Sequence, residues 1–87
     1  MKIKEGFAMR NIAGSNIVVP VGKNAGEFNG MITLNSSGAF FWNCFLQNRS
    51  EAEVVELVLN EYEADRETVE KDVADFVALL KNNGIIE

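Results

Sequence analysis

The chain has 87 residues, 47% of them hydrophobic and 24% charged, with a formal net charge of −5, a single cysteine and no histidine. A chain of this length folds as one domain, 1–87, and buries about 60–65% of the surface its unfolded form exposes. It has no run of about 20 apolar residues, which excludes a membrane-spanning helix, and it lacks the usual neutral-pH proton shuttle and the commonest zinc ligand.

Residues 1–5 carry no apolar signal segment, and one cysteine forms no internal disulfide, so a cytoplasmic location is expected. Residues 7–12 and 16–21 read as strands separated by Ala13-Gly14-Ser15, a short turn signal. Pro20 donates no ladder hydrogen bond, which ends the second strand or places it at an edge. After a loop over 22–26, residues 28–34 alternate. Phe28, Gly30, Ile32 and Leu34 share one face, while Asn29, Met31 and Thr33 share the other, the period of a strand with one buried side.

Asn35-Ser36-Ser37 stops that strand and offers oxygens to cap a helix. The first helix carries an apolar face of Ala39, Trp42 and Leu46, flanked by Phe41 and Phe45. Ser50 and Glu53 form a capping box for a second helix, whose buried face is Val54, Val55, Val58 and Tyr62, widened by Leu57 and Leu59. Asp65 caps a third, with apolar positions at Val69, Val73, Phe76, Val77 and Leu80. Gly84 ends it in the left-handed conformation, and Ile85 and Ile86 fold back behind the stop. The order β-β-β-α-α-α predicts a small α+β domain in which three helices cover the apolar face of a three-stranded antiparallel sheet.

Charge is divided unevenly: residues 1–34 carry +2 and residues 35–87 carry −7. The acidic helical half repels phosphate, which argues against nucleic acid as a partner and favours a basic surface. The carboxylates between Glu51 and Asp75 read as solvated helix faces, none spaced as a catalytic dyad; Asp72 alone adjoins the apolar stripe, next to Val73. "GKNAGEFNG" (22–30) lacks the Gly-Lys-Ser/Thr ending of a phosphate loop. No cation stands near Cys44 in sequence to lower its pKa, so it reads as a small apolar residue, and Trp42 reads as a core anchor rather than a stacking platform. Neither catalysis, a metal nor a cofactor is expected. The third strand is the last before the helices, and Asn29, Met31 and Thr33 on its outer face are uncharged. Such an edge invites either an extended peptide or a second copy of the chain.

"LNSSG" (34–38) followed by Trp42 resembles the strand-to-helix junction of the pyrroloquinoline quinone (PQQ) biosynthesis protein D family, PqqD. "DVADFVALLKNNGII" (72–86) resembles that family's ending, and Pro20, Tyr62 and the Ser50–Glu53 box sit where the family tends to have them. The likeness covers nearly the whole chain. It implies a winged-helix-like fold and a non-catalytic domain that binds the leader segment of a ribosomally made precursor peptide. Such a domain presents the leader to a modifying enzyme, often a radical S-adenosylmethionine (SAM) protein. The leader would add as a further strand to the third strand, in a groove walled by the third helix. That places the peptide site on Asn29, Gly30, Met31, Ile32, Thr33, Leu34, Val69, Asp72, Val73 and Phe76. Val21-Gly22 after Pro20 and Gln47-Asn48-Arg49 after the first helix depart from the family's pattern; a precursor of PQQ or of another peptide natural product is equally compatible. The alternatives are a winged-helix DNA-binding regulator, against which the acidic third helix argues, and a structural module that homodimerises through the edge strand.

Overall fold

The computed structural model describes residues 3–22 and 32–86. They form β1 (Phe7–Ile12), β2 (Ser15–Pro20), β3 (Ile32–Leu34), α1 (Ser36–Phe45), α2 (Glu51–Glu61) and α3 (Arg66–Asn82), the expected β-β-β-α-α-α order. The three strands make one antiparallel sheet with β2 in the centre. Ala13 and Gly14 both take positive φ, 52° and 85°, the two-residue turn whose twist matches a hairpin. That turn sets Ser15 directly opposite Ile12, so β2 starts and stops one residue earlier than the sequence pattern suggests. Pro20 is its last residue and pairs with Phe7. Residues 28–31 of the expected third strand lie outside the described residues, and the site residues Asn29, Gly30 and Met31 with them.

Register explains which side of the sheet is covered. Met9, Val18 and Ile32 stand side by side across the three strands, and with Phe7 and Leu34 they pack on the core. Thr33, between Ile32 and Leu34, is exposed, which is the alternation expected of a half-buried strand.

Each helix begins on the cap its sequence offers. Asn35 Oδ1 accepts from the Gly38 N–H at 2.8 Å to start α1. In α2 both bonds of the capping box form: the Glu53 N–H donates to Ser50 Oγ at 3.1 Å, and the Ser50 N–H donates to Glu53 Oε1 at 3.0 Å. Asp65 accepts from the Thr68 N–H at 3.3 Å at the head of α3. Gly38 is buried where α1 crosses β3. A Cβ there would stand 3.3 Å from Leu34 Cβ and from Asn35 Oδ1, so the missing side chain is what lets the first turn lie so close to the strand.

The helices close over the sheet with Trp42, Phe45, Val54, Val73, Leu80 and Ile85 fully buried. Two expected members of this core are outside it. Leu46 is 52% exposed, because it is the C-cap of α1, after which the chain leaves through Asn48 at φ 55°. Tyr62 is 56% exposed; it caps α2 in extended conformation, so the helical period no longer places it, and its ring meets Phe40 edge-on at 5.5 Å. Leu57 and Leu59 are partly buried.

The end of α3 is a complete Schellman motif. The Ile85 N–H donates to the Leu80 carbonyl at 2.9 Å and the Gly84 N–H to the Lys81 carbonyl at 3.0 Å, with Gly84 at φ 68°. Ile85 and Ile86 are thereby turned into the core. There Ile86 pairs with Ile3, and the Lys4 N–H donates to the Ile85 carbonyl at 2.8 Å. The sequence pattern does not single out Ile3, because one apolar residue among lysines has no period to read.

Candidate functional site

Strand β3 is an edge of the sheet: one side pairs with β2, and among the described residues nothing pairs with the other. Beside it runs a groove of about 320 Å³ between β3, the first turns of α1 and one flank of α3. Thr33 and Leu34 line it from the strand, Asn35, Ser37, Gly38 and Phe41 from the strand-to-helix junction and α1, and Asp72, Asp75, Phe76 and Leu79 from α3. The floor is aromatic. The Phe76 ring meets Phe41 edge-on at 5.6 Å and stacks along Phe45 at 6.3 Å. A second cavity, of about 270 Å³, adjoins the groove through the shared residues Ser37, Phe41 and Asp72. It continues between α1, the end of α2 and the start of α3, lined by Phe40, Val58, Tyr62 and Val69.

The structure therefore gathers Thr33, Leu34, Asp72 and Phe76 around one groove and places Val69 in the adjoining cavity. Ile32 turns its side chain to the core side of the sheet. Val73 stands apart from these residues. It is fully buried and faces the opposite flank of α3, where it lines a separate hollow with Val55 of α2. A step of one residue turns a helix by 100°, so Asp72 and Val73 look in different directions although they are adjacent in sequence.

Six lining residues are not legible as site residues. Asn35 and Ser37 read as cap oxygens, Phe41 as a helix flank and Gly38 as part of a junction. Asp75 reads as a solvated carboxylate, and Leu79 lies off the apolar stripe. Leu79 follows Asp72 by seven residues and Asp75 by four, the spacing of one helical face, and that was the signal available for it.

The groove is negatively charged on its helical wall. Asp72 and Asp75 are exposed one turn apart, and among the described residues neither has a salt-bridge or hydrogen-bond partner. An ion pair outside the groove, Arg66 to Glu56 at 2.8 Å, joins α3 to α2 and is solvent-exposed on both sides. Cys44 is a free, buried thiol. Burial pushes its pKa up and the nearby Arg49 charge lowers it to a lesser degree, which leaves an unreactive thiol rather than a nucleophile. Among the described residues no group of three or more His, Cys, Asp or Glu is placed to hold a metal ion, and no helix is long and apolar enough to cross a membrane.

Residues 16–86 match the family described as coenzyme PQQ synthesis protein D (PqqD). Among solved structures, TbiB1 in complex with the TbiA(beta) leader peptide is similar with a TM-score of 0.80 at 25% identity, over 100% of this chain and 95% of that one. Lasso peptide synthetase B1 complexed with the leader peptide is similar in fold with a TM-score of 0.76 at 24% identity, over 97% of this chain and 93% of that one. No curated protein sequence matches the chain.

Proposed function

Because the chain belongs to the PqqD family, we propose that it is a peptide-binding adaptor whose β3–α3 groove holds the leader segment of a ribosomally made precursor peptide. The observation that carries this reading is a sheet edge, unpaired among the described residues, running beside an open groove with an aromatic floor. An extended peptide laid along β3 gains main-chain hydrogen bonds from the strand, and alternate side chains turn into the groove and its adjoining cavity. The first contribution is generic and the second selects the sequence. Similarity to TbiB1, which is bound to a leader peptide, supports the same use of this fold.

The adaptor works without chemistry of its own. It raises the effective concentration of the precursor near a modifying enzyme, a radical SAM protein or another peptide-modifying catalyst, so moderate affinity is sufficient. The whole chain acts as one recognition domain in the cytoplasm.

The proposed peptide site comprises Thr33, Leu34, Asp72 and Phe76 in the groove, Val69 in the adjoining cavity and Ile32 on β3, with Asn29, Gly30 and Met31 added from the sequence pattern alone. Val73 supports the wall from behind. Titration of the isotope-labelled protein with the synthetic leader of any short precursor reading frame found beside its gene is expected to shift the amides of residues 29–34 and 69–79. Shifts confined to β1 or to the α2 side of α3 would overturn the placement. A homodimer through the same β3 edge competes with peptide; in sedimentation at rising protein concentration, added leader is expected to convert any such dimer to a monomer–peptide complex.

A further inference from the structure

Asp72 and Asp75 line the helical wall of the groove directly across from β3. At positions i and i+3 of one helix they face the same way and repel each other. Neither forms an ion pair among the described residues: Arg66 is taken by Glu56, Arg49 bonds to Gln47 at 2.6 Å on a different part of the surface, and Lys71, four residues before Asp75, makes no salt bridge to it. The N-terminus of α1 opposite, at Ser37 and Gly38, offers only about half a positive charge. Two carboxylates therefore stand without an ion-pair partner among the described residues, beside an apolar floor of Leu34, Phe41 and Phe76.

From this we propose that the groove selects its peptide by charge: the occupant is an extended segment with a lysine or arginine placed to meet Asp72 and Asp75. The inference rests on the adaptor reading above and adds its specificity. A basic residue would neutralise the acidic wall while its methylene stem lies on the aromatic floor. An acidic residue at that position would add a third negative charge to the groove. The two carboxylates thus both attract the right sequence and reject the wrong one.

The test is selection of a randomised dodecapeptide display library on the full-length protein, repeated on D72N/D75N and on E67Q/E70Q. The second variant removes the same charge from the far side of α3. Lysine or arginine is expected to be enriched at one fixed position on the wild type and on E67Q/E70Q, and to lose that enrichment on D72N/D75N. Synthesised winners should bind D72N/D75N about five-fold more weakly than wild type, with a smaller salt dependence. Enrichment without basic bias, or a bias that persists on D72N/D75N, would overturn the charge inference and leave the groove in place. Winners that bind Leu79→Lys as well as they bind wild type would instead overturn the groove itself.

Discussion

The two flanks of α3 are built from one continuous helix and serve opposite purposes. Toward α2 the helix presents Val73 and Val77, both buried, and a partner helix covers them. Toward β3 it presents Asp72, Asp75 and Leu79, all exposed, around the single buried ring of Phe76. The first flank is finished: its apolar surface has met other apolar surface, and adding to it would overpack the core. The second is unfinished in the same physical terms: among the described residues the strand edge is unpaired and the two carboxylates have no ion-pair partner, beside a groove floored by buried aromatic rings. A helix that is amphipathic for folding has one dry face and one wet face. Here the boundary between the two opens into a groove, and that boundary is where the proposed peptide site lies.

If the difference between the flanks is real, substitutions should separate stability from binding. Trp42→Ala empties the centre of the finished side and is expected to cost about 3–5 kcal/mol in urea unfolding, enough to unfold much of a marginal 87-residue domain. Ile85→Ala removes the residue that the Schellman turn delivers to the core and is expected to cost about 2–4 kcal/mol. Ser50→Ala removes one bond of the capping box and should cost about 1 kcal/mol, with no effect on peptide binding beyond the loss of folded protein.

Smaller still are two pH effects. The Ser50 N–H, and then its side chain, hold the Glu53 carboxyl below the usual range. A lowered folded-state pKa stabilises the fold above the ordinary glutamate value, and that contribution fades as pH falls through the lowered one. Glu53→Gln is therefore expected to flatten the acid limb of a melting-temperature profile slightly. Cys44 runs the other way. Its raised pKa gives a contribution present below the ordinary thiol value and lost as pH climbs through the raised one, so Cys44→Ala should be less sensitive than wild type between neutral and alkaline melts.

Much of the fold was legible because its signals are local. Cap residues at Asn35, Ser50 and Asp65 fix where helices start, and Gly84 fixes where the last one stops. Periodicity identified the buried residues of α3 for the same reason: a long regular helix keeps its phase. The errors fall where phase ends. Leu46 and Tyr62 are C-caps, and once the backbone leaves the helix the period says nothing about where the next side chain goes. The site was only partly legible. An edge strand is legible from element order, whereas Asp72 and Phe76 enter as site residues only through the family resemblance, and both line the groove. Which flank of α3 faces the strand depends on how the helix rolls in the packed structure. That roll brings Leu79 and Asp75 to the groove and turns Val73 toward α2.

The least destabilising substitution is the most discriminating. Leu79 is 38% exposed and lines the groove four residues after Asp75. Leu79→Lys exchanges one good helix former for another and sets a cation at the i+4 position from a carboxylate, so its effect on stability should stay within about 0.5 kcal/mol. It also crowds the peptide path and neutralises part of the acidic wall. Loss of leader binding by ten-fold or more with an unchanged melting temperature would show that the open flank is functional and independent of the closed one. Unchanged binding would mean that the two flanks differ only in exposure, and the peptide site would have to be sought elsewhere on the sheet.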